Sequence, residues 1–494
     1  MGEREAARAK RAPAKRATVK RAPAKRAQRK RATTSRTTKG SAAHLELIRA
    51  PDPEATRVAE AKARRTSIIM LLIPTAVLTV LGLIMILSAG SISAVEGYGT
   101  SFWYFNRQVF YAVAGLIAMA VAWRLPYTAW QKLCVPMLIA ILPLMLIALH
   151  PSQGTALYGA SRWIDLGPIT IQPAEFLKLG LVAFAATVLA NKWRKMDDLK
   201  HLVMPLAPVL GFFALLVIMQ RDLGTTIVIC GSVFALMFVA GVRMRYLAWT
   251  GFGSLLVVGY LVFGEAYRRT RFVDSFLNPW NDPKGSGFQL IQGLIALGSG
   301  GWTGVGLGAS RQKWDYLPNA HSDFIFAIIG EELGLLGAFF VLVMFGLLLF
   351  AGIRIAVRAP DTFGRFLAAG VTAWIGLQTI VNLGAVTGVL PITGVPLPLV
   401  SFGGTALVVT LAGIGVLASV ARSSARKESA RSSARKESAR SGARKETARS
   451  GAAEQTAGSA TRAKKKQRAA SKGKARTSTR ATAGQRAGRV KGAR

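Results

Sequence analysis

Ten mostly apolar stretches recur along this chain, each close to the roughly 20 residues that carry an α-helix across bilayer hydrocarbon. They fall at 67–89, 108–123, 127–149, 174–191, 202–219, 223–241, 246–263, 323–350, 364–390 and 400–420. With no water at that depth, each backbone N–H and C=O must be satisfied within the protein, and a run of this length does so as a helix. The expected fold is therefore an all-α polytopic membrane protein of about ten spans.

Charge orients the spans. Cytoplasmic loops gather Lys and Arg. With residues 1–66 placed inside, the inner loops hold Arg124; Lys192, Arg194, Lys195 and Lys200; Arg243 and Arg245; and Arg354, Arg358 and Arg365. Both termini then lie in the cytoplasm, as an even number of crossings requires. The outer connections are 90–107, 150–171, a turn at 220–222, a long segment at 264–322, and 391–399. Loops as long as 264–322 are uncommon without structure of their own. Its "GFQLIQGLIALGSGG" is expected to form a short interfacial helix. The following "GSGGWTGVGLGAS" has no preceding strand, so it reads as close packing and turns rather than a nucleotide fingerprint.

The chain is 51% hydrophobic yet carries a net charge of +40, so apolarity and charge must occupy different regions. Residues 1–66 hold 20 Lys/Arg against 6 Asp/Glu, and residues 421–494 hold 23 against 4. Both tails are low-complexity: "KRAPAKRA" occurs at 10–17 and 20–27, and "ARSSARKES" repeats near the other end. Segments this poor in large apolar residues bury too little surface to offset ordering entropy, and they are expected to be disordered. Beside a bilayer they would attract anionic phospholipid heads, with nucleic-acid binding as the alternative. The first apolar run starts too late and is too long for a cleavable signal. Cys134 and Cys230 give no disulfide framework, and His44, His150, His201 and His321 lack metal-ligand spacing.

Against this background the acids and bases at outer membrane depth stand out, since a charge there costs roughly 2.5–3.5 kcal/mol on insertion scales. Arg162, Asp165, Glu175 and Lys178 come from "GASRWIDLGPITIQPAEFLKLG", and Arg221 and Asp222 from "QRDLGTT". Arg311, Lys313, Asp315 and Asp323 follow, then Glu331 and Glu332. Such a ring suits a polar cavity open to the external leaflet. Glu175 and Lys178, three apart on one helical face, can pair, either to neutralise each other or to position a ligand. Asp323 or Ser322 can cap the helix that follows; alternatively Asp323 is a general base at the water boundary. Trp163 reads as an interfacial aromatic or as a wall for a sugar or lipid stem. Pro391, Pro396 and Pro398 break the backbone before span ten, and Ser401 with Gly403 and Gly404 allows another backbone to approach. That region fits a wall of the same cavity.

In this order, "QPAEFLKLG", "QRDLGTT", "LIALGSGGWTGVGLGASRQKWDYLPNAHSDFIFAIIGEELGLLGA" and "PLPLVSFGGTALV" resemble the SEDS family (shape, elongation, division, sporulation) of bacterial membrane proteins. The resemblance spans about 67–420, and "GVGLGASRQKW" is closer to the division branch than to the elongation branch. It implies a peptidoglycan glycosyltransferase that polymerises lipid II at the outer face of the cytoplasmic membrane, at the division septum. It also implies a class B penicillin-binding transpeptidase and other division proteins as partners. The family's essential aspartate falls on Asp323, its cavity tryptophan on Trp163, and its buried acid–base pair on Glu175 and Lys178. Arg162, Lys313, Arg311 or Arg221 would meet the departing pyrophosphate, with a divalent cation such as Mg or Mn as a candidate companion; Ser401 would line the substrate site. This chain departs from the family in having Asn319 where Glu is common and Arg221 where Pro is frequent. An elongation polymerase, a lipid II flippase and a non-catalytic division scaffold are the competing readings.

Overall fold

The computed structural model describes residues 53–423 and 458–468, apart from 151–153, 158–159, 168, 194–198, 265–268, 270–271 and 315. Most of both expected disordered tails, and Asp315, lie outside the described residues. All ten expected spans are helices: α1 (Pro53–Tyr98), α2 (Trp103–Arg124), α3 (Ala129–Leu149), α4 (Pro173–Lys192), α5 (Leu199–Met219), α6 (Leu223–Val239), α7 (Met244–Phe263), α9 (Ile325–Val357), α10 (Thr362–Val386) and α11 (Gly404–Ser423). Helix α8 (Phe288–Ser299) lies in the long outer segment, where the short helix was expected. Seven helices, α1 to α4 and α9 to α11, are long and apolar enough to cross a membrane. The apolar parts of α5 and α6 are shorter. The chain is a membrane protein.

Burial sorts the bundle. Helices α4, α10 and α11 are mostly buried inside it, whereas Ile69, Ile73, Val80 and Ile84 on α1 and Phe339 and Phe340 on α9 face outward. Helix α10 packs against α4, α6 and α9, and α1 runs along α9. Two buried hydroxyls on α1 are absorbed by its own backbone: Thr75 donates to Leu71 O at 2.7 Å and Thr79 to Thr75 O at 2.8 Å.

Three features depart from the sequence reading. Helix α1 begins at Pro53, so residues 53–66 are helical rather than part of a disordered tail. Their Ala, Glu, Arg and Lys are strong helix formers, and the span that follows extends the helix they start. Residues 458–468 in the other tail are also helical. Second, the outer connection after α3 is a three-stranded antiparallel sheet, β1 (Gly154–Leu157), β2 (Ala160–Asp165) and β3 (Thr170–Ile171) in that order. Register pairs Thr155 with Trp163 and Ile164 with Ile171.

Third, α9 is not one straight rod. It breaks at Gly334, at φ 68° and ψ −167°, so Glu331 and Glu332 end a short outer helix instead of interrupting a membrane span. The glycine run of 300–306 plugs into that break. Val305 and Gly306 donate to the carbonyls of Glu331 and Glu332, each at 3.0 Å, and Leu335 and Leu336 donate to Gly301 O and Trp302 O at 2.9 and 3.1 Å. A Cβ on Gly304 would strike Glu332 O, and one on Gly300 would strike Gly330 O. Backbone freed by the break is thus satisfied by protein, as membrane depth demands.

Candidate active site at the outer ends of the helices

The outer charges resolve into three groups with different tasks. The first holds the glycine run. Ser310 Oγ donates to Glu331 Oε2 at 2.5 Å, Arg311 N to Glu331 Oε1 at 2.9 Å, and Ser88 Oγ to Glu332 Oε1 at 2.6 Å. Lys313 is buried, and its ammonium donates to Gly308 O. These side chains tie the loop to α1 and α9. Lys313 is therefore turned into its own loop, although it was a candidate for pyrophosphate.

The second group is the pair on α4. Lys178 Nζ lies 2.8 and 2.7 Å from the two oxygens of Glu175, and the side chains are 1% and 2% exposed. Lys178 also donates to Gln378 Oε1 at 2.8 Å, which Trp374 Nε1 shares at 3.0 Å. The ammonium stands 5.6 Å from the Trp374 ring centroid. Gln378 in turn donates to Pro396 O at 3.0 Å, so the pair is tied to the broken backbone between α10 and α11.

That broken backbone organises the third group. Gly394 adopts φ 69°, and a Cβ placed on it would sit 3.5 Å from Asp323 Oδ2 and 3.6 Å from Arg162 Nη2. The carboxylate and the guanidinium therefore share one small volume over a residue that has no side chain. Arg162 arrives from β2 and is aimed by Asp222, with Nη1 to Oδ2 at 3.4 Å. Asp222 is 1% exposed. It caps α6 through Thr225 N at 3.0 Å and also accepts from Gln172 Nε2 at 3.2 Å. A buried carboxylate with this many donors is a fixed counter-charge for Arg162. Asp323 does not occupy the N-cap of α9; that position is Phe324.

The remaining expected residues fall around this core. Arg162 sits at a bulge in β2, where Thr155 pairs with Trp163 and Ala156 with Ser161; beyond it Ile164 is buried and Asp165 exposed. Trp163 is half-buried. Arg221 is exposed, next to Asp222, with φ 60°. Asn319, four residues before Asp323, has φ 57°. Both departures from the family pattern thus sit at left-handed positions, and a proline cannot take the one at Arg221. Ser401 is buried, its Oγ accepting from Leu397 N at 2.8 Å, so its hydroxyl shapes the turn that it was expected to present to substrate. What approaches Gly404 is the Tyr111 side chain, where another backbone was expected. Sequence reasoning did not single out Gln378, Asn382 or Gly394. The amides were hidden in an apolar helix, and a glycine beside prolines reads first as a turn.

Comparison with known proteins places the chain. The model of the FtsW, RodA and SpoVE family, described as "Cell cycle protein", matches residues 68–426. The chain belongs to this family. A relative in Geobacter metallireducens named "Probable peptidoglycan glycosyltransferase FtsW" is 40% identical over 350 residues, covering 71% of this chain and 93% of the relative. "Stage V sporulation protein E" of Bacillus subtilis is 41% identical over 346 residues, covering 70% and 94%. Among solved structures, a chain from work on "structural coordination of polymerization and crosslinking by a peptidoglycan synthase complex" aligns with a TM-score of 0.60 at 31% identity, covering 72% of this chain and 97% of that one. The rod shape determining protein RodA of Thermus thermophilus aligns at 0.53 and 27% identity, covering 72% and 96%. The FtsW/RodA/SpoVE fold accounts for the shared core, and both basic tails lie largely outside the matched residues.

Proposed function

We propose that this chain is a peptidoglycan glycosyltransferase that polymerises lipid II at the outer face of the cytoplasmic membrane, in septal wall synthesis. The observation that carries the site assignment is the meeting of Asp323 and Arg162 across Gly394, on segments that the charge pattern puts outside. FtsW-named relatives of similar core length support the activity and the division role. Asp323 is the general base. It takes the proton from the 4-hydroxyl of the N-acetylglucosamine of an incoming lipid II as that oxygen attacks the anomeric carbon of the growing glycan. The bond from that carbon to the polyprenyl pyrophosphate breaks, the pyrophosphate leaves with the electron pair, and the centre inverts.

Charge develops on the leaving group, and a preorganised cation there lowers the barrier most effectively. Arg162, half-sequestered and held by Asp222, is the cation best placed beside Asp323. Exposed Arg221 and Arg311 stand further out as secondary candidates. Any divalent cation is proposed to come with the pyrophosphate, because among the described residues no three His, Cys, Asp or Glu side chains gather to hold one. The Glu175–Lys178 pair supports the cavity wall through Gln378 and Pro396. A class B penicillin-binding transpeptidase is the proposed partner, in keeping with the synthase complex among the structural relatives. Both termini are placed in the cytoplasm, with the basic tails against anionic lipid.

The test is polymerisation of lipid II by the purified chain with its cognate transpeptidase. General-base removal in Asp323→Ala is expected to cut the rate about 10²–10⁴-fold while the protein stays folded and bound to its partner. Equal polymer from the two proteins removes Asp323 from the reaction. Lipid II transport without polymer replaces the transferase with a flippase.

A further inference from the structure

Irregular backbone at membrane depth needs hydrogen-bond partners that no helix ladder supplies. The prolines of 391–399 leave such carbonyls, and α10 meets them with two amide side chains one turn apart. Gln378 serves Pro396 O. Asn382 donates from its single side-chain nitrogen to two carbonyls, those of Val395 and of Asp323, each at 2.8 Å. The second acceptor is not in the proline loop at all. It is the main chain of the proposed base, 59 residues upstream. Asn382 is 1% exposed, and its Oδ1 meets no donor among the described residues. The two donations are what this side chain contributes.

The turn that carries Asp323 has other supports as well. Asn319 closes the turn before it, its carbonyl accepting from Ser322 N at 3.0 Å and Phe324 N at 3.4 Å. Asn319 does so from φ 57°, a conformation asparagine tolerates better than most residues. His321 leans on Tyr104 at 4.2 Å between ring centroids and on Phe402 at 5.7 Å, and its carbonyl accepts from Phe402 N at 3.0 Å. Those contacts set the turn against α2 and the bend that leads into α11. Asn382 ties it to Val395, the neighbour of Gly394, and so sets it beside Arg162.

We propose that Asn382 is a positioning residue for glycosyl transfer: by joining the carbonyl of Asp323 to that of Val395, it fixes the carboxylate relative to Arg162 across Gly394. This rests on the reading of Asp323 as the base. A misplacement of about 1 Å in a reacting constellation costs about 100-fold in rate. The effect belongs in kcat, because Asn382 is buried behind the turn and leaves lipid II recognition alone.

The experiment uses the full chain with its transpeptidase and purified lipid II. Asn382→Leu keeps the shape and removes both donations; Asn382→Asp keeps the shape and aims an acceptor at two carbonyls. Both are expected to lose about 100-fold in kcat with KM for lipid II changed less than about twofold, the scale set by misplacement of a reacting group. Asn382→Ser retains one donor and is expected to fall between these and the parent. Parental kcat in Asn382→Leu, or a loss carried by KM, overturns the proposal. Should Asn382→Leu fail to fold, Asn382→Ser is read by the same criterion. Asp323→Ala is assayed in parallel. If it polymerises normally, the base assignment falls; if it is inactive while Asn382→Leu is fully active, only the positioning role falls.

Discussion

Neutralising one member of the Glu175–Lys178 pair is a sharp test of how the polar interior is held. Replacing Glu175 by Gln removes the counter-charge of the Lys178 ammonium in a site 1% exposed and leaves it only neutral amide acceptors, the new amide oxygen and Gln378. At the 2.7–2.8 Å separation and an effective dielectric near 20, the direct attraction is about 6 kcal/mol. Desolvation of both ions offsets much of it, and removing one partner of a buried pair typically costs about 3–5 kcal/mol. For a core of this size, with unfolding entropy near 2 cal/mol/K per residue, that corresponds to a fall of roughly 4–7 °C in Tm. Thermal unfolding of the purified protein, followed by intrinsic tryptophan fluorescence, reads it directly. The double variant Glu175→Met with Lys178→Met removes both charges and is expected to recover most of the loss, because no unpaired ion remains. Single variants within about 1 °C of the parent, or a double variant that shows the sum of the two single losses, would refute the account of a coupled buried pair.

Gly394→Ala combines left-handed strain of about 1–2 kcal/mol with a methyl 3.5 Å from Asp323 Oδ2. It is expected to lower polymerisation at least tenfold, whereas Gly388→Ala, at φ 73° against the apolar Leu290 and Leu294, carries the strain and keeps the activity. Burial pushes the His321 imidazole down to about 4. The folded value lies below the unfolded one near 6.5, so the neutral form is favoured, and its stabilisation is complete above pH 6.5 and lost as pH falls towards 4. Tm measured across that window should decline, by at most about 3 kcal/mol in stability because the residue is partly accessible, and His321→Phe should flatten the decline.

Much of the architecture was legible before any coordinates. Each apolar run became a helix because bilayer length and backbone satisfaction allow little else, and the amphipathic stretch in the long outer segment became α8. Glu175 and Lys178 pair because three residues on a helix put them on one face. The sheet at 154–171 was not legible: its strands are two to six residues long and lie between two membrane helices, too short for alternation to register. Nor was the break at Gly334, where a continuous apolar run reads as one span although local backbone geometry divides it.

Sequence by itself determined which segments are apolar helices, and which acids and bases had to be accommodated among them, because hydrophobicity and charge are properties of residues. Tertiary structure decided what each charge does. Glu331, Glu332 and Lys313 serve the glycine loop, Ser401 serves its own turn, and Asp323 and Arg162 face each other across Gly394. Some of those roles are set by local turns, as for Lys313 and Ser401, but the meeting of Asp323 with Arg162 joins segments far apart in the chain, and only packing of α4, α6, α9 and α10 around the broken backbone sets it.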